Sequence, residues 1–188
     1  MKYYILFFIS LFFIGCSTPR FYPEIASTYE NYDTLVSKHG KEAVSKSSFD
    51  SHKLVMRKLS SYLKNSDHII YHYSRTTRKW RGKEFSGVVF DAVNNNYFYV
   101  GNSENRPRRI QVDTVYKYPD DNYYKFIIDN YREGKMEYLQ KLGEASVHSG
   151  IRSYELIFDV NLKTNTIQKH MFKDFLFLDG KPLIEIEK

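Results

Sequence analysis

From Ser153 to Leu162 the chain swings in polarity. Tyr154, Leu156, Phe158, Val160 and Leu162 alternate with Ser153, Glu155, Asp159 and Asn161. A period of two belongs to an extended strand, whose successive side chains point to opposite faces, so this stretch predicts a strand with one buried and one more polar face. The same period recurs at Ile69 to Tyr73, Phe85 to Val93, Tyr97 to Val100 and Ile110 to Tyr118, with turns at Arg81-Gly82-Lys83, Asn94-Asn95-Asn96 and Asn102 to Pro107. Gly and Asn tolerate positive φ, which is why such triplets reverse a chain. After Leu162, Lys163-Thr164-Asn165 turns into Thr166 to Phe172, and Asp179-Gly180 closes a hairpin between Phe175–Leu178 and Leu183–Ile186.

Two stretches follow the helical period instead. Ser47 or Ser48 can cap a helix running to about Lys64, in which Val55, Met56, Leu59, Tyr62 and Leu63 share a face and Lys53, Arg57 and Lys64 lie opposite. Pro119-Asp120-Asp121 starts a second helical region. Tyr124, Ile127, Ile128 and Tyr131 form its apolar side, Gly134 ends it, and a further helix from Lys135 to about Val147 buries Tyr138, Leu139, Leu142 and Ala145. Strands, then helices, then strands predict an α+β fold: an antiparallel sheet of two meanders, an N-terminal helix and an inserted helical pair.

The chain opens Met1-Lys2 and then carries no charge for the twelve residues from Tyr3 to Ile14. A bilayer-spanning helix needs about 20 apolar residues, so this run is too short to cross, but it suits the hydrophobic region of an export signal. It ends at Gly15-Cys16-Ser17, and Cys16 is the only cysteine, which leaves no disulfide within the chain. Phe13-Ile14-Gly15-Cys16 resembles the lipobox of bacterial lipoproteins. That resemblance covers only the leader; it implies cleavage before Cys16, acylation of its sulfur and often its nitrogen, and attachment to a membrane through the lipid. The Phe- and Ile-rich leader is similar to those of AT-rich Gram-negative bacteria. Ser17 stands where Asp signals inner-membrane retention in enterobacterial lipoproteins, and Ser17-Thr18-Pro19-Arg20 has no acid of the kind that marks surface export. The resemblance therefore implies the periplasmic face of the outer membrane. The expected organisation is a signal peptide over 1–15, a lipidated Cys16 with a Pro- and polar-rich tether over 16–47, and one domain over 48–188.

Basic residues outnumber acidic ones, 28 to 22, for a net charge of +6, or +5 once Lys2 leaves with the leader. Such a balance favours anionic surfaces without deciding the fold. The strongest local concentration is Arg75, Arg78, Lys79, Arg81 and Lys83 around Trp80, with Arg106, Arg108 and Arg109 in a later loop. If both loops fall at one end of the sheet they form a basic lip with an aromatic centre, suited to phosphate, sulfate or carboxylate groups. Solubilising loop charge is the plain alternative. A nucleic acid is not expected behind a lipid anchor.

Catalytic patterns are sparse. His68 and His72 stand four apart, about 13 Å on a strand, too far to share an ion. His52 falls on the apolar face of the first helix and reads as a hydrogen-bonded core residue. His39, His148 and His170 lack Cys or carboxylate at ligand spacing, so neither metal nor cofactor is expected. Ser61-Tyr62-Leu63-Lys64 matches the S-x-x-K of penicillin-binding proteins and β-lactamases, echoed by Ser66-Asp67-His68 and Lys163-Thr164-Asn165. Ser61 falls in a last helical turn and Ser66 follows too soon, so that reading is rejected. His72-Tyr73-Ser74 resembles the H-x-[ST] element of two-histidine phosphoesterases and the strand His of ADP-ribosyltransferases, but no second element exists at His148-Ser149-Gly150 or His170-Met171-Phe172. The leading expectation is a non-catalytic binding or assembly module for an envelope protein or an anionic glycan. The alternatives are a small hydrolase or transferase acting on envelope polymers through His72, and a periplasmic immunity or inhibitor lipoprotein.

Overall fold

A computed structural model describes residues 18–28, 46–76, 84–103, 106–114, 121–145, 154–178 and 180–183. At 46–50, 75–76, 84–85, 102–103, 106–109, 121 and 154 it describes the backbone alone. Cys16, the leader and positions 29–45 of the expected tether lie outside the described residues.

Six antiparallel strands form one sheet: β1 (His68–Thr76), β2 (Glu84–Asp91), β3 (Asn96–Ser103), β4 (Arg106–Asp113), β5 (Tyr154–Asn161) and β6 (Thr166–Lys173). Their spatial order is β4-β3-β2-β1-β5-β6. The first four run as a meander, and β5 with β6 forms a hairpin that docks on the free side of β1. Helix α1 (Tyr22–Ser27) and α2 (Lys46–Leu59) precede the sheet, while α3 (Asp121–Arg132) and α4 (Met136–Ala145) form the pair inserted between β4 and β5. A short hairpin of β7 (Phe177–Leu178) and β8 (Lys181–Pro182) ends the described chain. The fold is α+β, as the alternation predicts.

The sheet is covered on both faces. On one, Val55, Met56, Leu59 and Leu63 pack on Tyr71, Tyr73 and Phe158; on the other, Ile127, Ile128, Leu139 and Leu142 pack on Ile70, Val88 and Ile157. This alters the reading of β5, whose more polar side faces α3 and α4 instead of water. Glu155 is buried there and Asp159 half-buried, and each carboxylate is held by hydrogen bonds, which removes most of the cost of enclosing it.

The expected tether is also corrected over residues 18–28. Phe21 and Ile25 are 1% and 0% exposed in the first core. Pro23 lies in the first turn of α1, where a missing N–H costs nothing. Phe21, in the left-handed region at φ 62°, turns the chain into α1, and the Arg20 guanidinium donates to the Lys64 carbonyl at 2.9 Å. That bond seats the start of the described chain beside the loop entering β1.

Two hairpins share one turn design. The Asp91 carboxylate accepts from the backbone N–H groups of Val93 and Asn94 at 3.0 and 3.1 Å, and the Asn161 side chain accepts from Lys163 and Thr164 at the same distances. Asn95 and Asn165 then take φ of 55° and 53°, the left-handed step that Asn allows. Burial works to raise the Asp91 pKa, but bonds from Asn94, Ser66 and the Asn94 and Val93 amides outweigh it and hold the group below its ordinary 3.8.

Candidate functional site

Register decides where the basic segments go. Thr76 pairs with Glu84 where β1 turns into β2, and Ser103 pairs with Arg106 where β3 turns into β4. Ser86 faces both Ser74 and Gly101, so the two connections emerge from the same end of the sheet. Neighbouring strands are about 4.8 Å apart, which sets the midpoints of the Thr76–Glu84 and Ser103–Arg106 pairs roughly 10 Å from each other. The backbones of Arg75, Arg106, Arg108 and Arg109 therefore gather at one end of the sheet. Arg78, Lys79, Trp80 and Arg81 lie outside the described residues, within the connection 77–83 that leaves from this end. Pro107 occupies an edge strand, a sheet position where its missing donor is tolerated.

Beneath that end, on the side covered by α3, lies the polar group that contains His72. His72 is 0% exposed and its Nε2 is 2.7 Å from Glu155 Oε2; Ser74 Oγ donates to Glu155 Oε1 at 2.8 Å. The His72 ring packs against Tyr124, at 5.4 Å between centroids, and Tyr123, at 6.2 Å. The Tyr124 hydroxyl, on α3, is bonded to Ser86 on β2. Burial first, then the charges of Glu155 and Asp174 and the nearby Tyr124, push the Tyr123 phenol well above its usual pKa, with the Phe175 amide opposing. It therefore remains a neutral hydroxyl.

This arrangement does not assemble an acid–base relay. A nucleophilic serine needs the imidazole between itself and the carboxylate. Here the carboxylate stands between Ser74 and His72, both of its oxygens are engaged, and no face of the ring meets solvent. His72 Nδ1 has no hydrogen-bond partner among the described residues, which fits a ring that donates from Nε2 and leaves Nδ1 as a bare acceptor. Its evident work is to fasten β1 to β5 directly under the basic end. The sequence did not point to Glu155 as the partner, because 83 residues separate the two and no local spacing links them.

At the opposite end of the same face, His68 Nε2 is 2.7 Å from Asp159 Oδ1, and Tyr131 donates to Asp159 Oδ2 at 3.0 Å. No cluster of three metal-capable side chains occurs among the described residues. A half-open cavity of about 360 Å³ is lined by Asn95, Asn96, Tyr97, Phe98, Tyr99 and Thr114, beside the β2–β3 turn. No described helix is long and apolar enough to cross a membrane. No protein family, curated protein or solved structure matches this chain.

Proposed function

We propose that this protein is a lipid-anchored module of the bacterial outer membrane, non-catalytic, whose basic sheet end engages an anionic glycan. The observation that carries the reading is the register that brings the β1–β2 connection and the β3–β4 hairpin to one end of the sheet. Two basic segments about 30 residues apart then act on one ligand, and Arg side chains suit carboxylate, phosphate and sulfate groups through paired donors. Cys16 supplies the anchor in this reading. Against a hydrolase or transferase built on His72 stand the full burial of the ring and the place of Glu155 between it and Ser74.

The test is a salt series of binding to an acidic polysaccharide by full-length protein in detergent. Arg106→Gln combined with Arg108→Gln is expected to weaken binding and flatten its salt dependence. Trp80→Ala removes no charge, yet should cost about 0.5 to 2 kcal/mol if its ring meets the ligand or an engaged cation. Lys64→Gln with Lys163→Gln, at the other end of the sheet, should change nothing. Equal losses in the two double variants would reduce the lip to diffuse surface charge. Capture of an acidic envelope protein without any polysaccharide binding would reassign the site to a protein partner.

A further inference from the structure

We infer that the end of the sheet opposite the basic lip is the surface that rests on the lipid bilayer, so that the domain stands upright with its lip directed away from the membrane. The inference rests on the reading of Cys16 as the acylated residue. Its carrier is chain length. Pro19 is already buried in the domain, and Arg20 is bonded to the Lys64 carbonyl next to the entry into β1. From Cys16 to Pro19 is three residues, which reach at most about 11 Å. A lipid on Cys16 therefore holds the loop at 60–67 against the head groups, with no slack for the domain to turn over.

The surface at that end suits a lipid interface. The turns at 92–95 and 162–165 flank the same loop, since Ala92 N–H donates to His68 O and Leu162 N–H to Asp67 O. Tyr62 is 49% exposed and lies over Phe98, and Val93, at the tip of its turn, is 52% exposed. Lys64 and Lys163 are exposed beside them. Helix α3 also ends here, where Tyr131 reaches Asp159, followed by Glu133 and Lys135, which are paired at 2.5 Å. Asp67 is the remaining acid of the loop and is only half-exposed. A tyrosine, a branched apolar tip and lysines with long stems form the mixture that settles at the head-group level, with rings and stems in the apolar layer and charges at the phosphates. The nine residues of β1 span about 30 Å, so the lip stands several screening lengths above the bilayer and is left to other ligands.

The experiment uses full-length, acylated protein in vesicles of phosphatidylethanolamine and phosphatidylglycerol that carry a head-group quencher. Single dye positions come from Val93→Cys and Lys163→Cys at the membrane end and Glu144→Cys at the lip end; the acylated Cys16 does not take the dye. Glu144 marks the lip end because its neighbour Gly143 touches the backbone of Lys173, which pairs with Tyr154. Dyes at 93 and 163 should be quenched several-fold more than the dye at 144. Equal or reversed quenching in protein that floats with the vesicles would overturn the orientation while leaving the anchor intact. Protein that does not float with vesicles would remove the anchor reading, and this inference with it.

Discussion

Lys169 carries its ammonium 5.7 Å from the ring centroid of Phe158, and burial pulls its pKa down to about 8. The unfolded chain keeps that proton up to the ordinary 10.5, so between these values the unfolded state binds more protons and stability rises with pH. The tyrosines act the other way, but later. Tyr97 is pushed up to about 12, by burial and then by Asp129, so its contribution is lost only as pH climbs past the ordinary 10. Urea midpoints should therefore increase from pH 8 to 10 in the wild type and stay level in Lys169→Met; a level wild-type profile would contradict this account. Single residues were legible in the sequence where their element was. His52 was expected in the core and is 0% exposed, with Nδ1 3.1 Å from the Tyr71 hydroxyl. His72 stood out in the sequence, but its partner and its burial depend on a pairing between distant strands.

Helix α4 approaches β6 more closely than side chains would allow. A Cβ on Gly143 would stand 2.3 Å from the Lys173 carbonyl oxygen, and that neighbour is backbone, which cannot swing aside. Gly143→Ala should therefore lift α4 from the sheet and cost about 1 to 3 kcal/mol, the usual range for overpacking, despite the better helix propensity of Ala. Thermal melts would check it, and an unchanged or higher midpoint would show that the helix shifts freely. Most elements were readable from period alone: the strand expected at Tyr154 to Leu162 runs Tyr154–Asn161, and the helix expected from Lys135 runs Met136–Ala145. Two were not. α1 hid behind Pro19 and Pro23, which read as linker although Pro suits a helix start. β4 was expected to begin at Ile110 and begins at Arg106, because Pro107 resembles a turn residue until the strand is known to be an edge; positions 115–118 of the expected strand lie outside the described residues.

Fold class followed from the order of periods along the chain, whereas the seating of the β5–β6 hairpin beside β1 did not, since alternation says which face a strand buries and nothing of which neighbour it takes. The same limit applies to the two basic connections: their residues were visible, but that the strands bearing them end on one side of the sheet came only from register. That seating has a consequence for how the protein comes into being. β1 contains Tyr71, His72 and Tyr73, all enclosed in the finished molecule, yet its second neighbour is made some 80 residues later than itself. Until Tyr154–Asn161 emerges, a strand that ends up inside the sheet is an open edge with bare N–H and C=O groups, the form of chain that joins other chains. A protein ending at Ala145 should therefore sediment as aggregate, and a peptide covering 154–178 supplied during refolding should keep it in solution; a truncated chain that stays monomeric unaided would show that the meander closes itself. A newborn chain thus passes through an interval in which its future centre is its most adhesive margin, and any partner that accompanies it during synthesis would be expected to hold that margin.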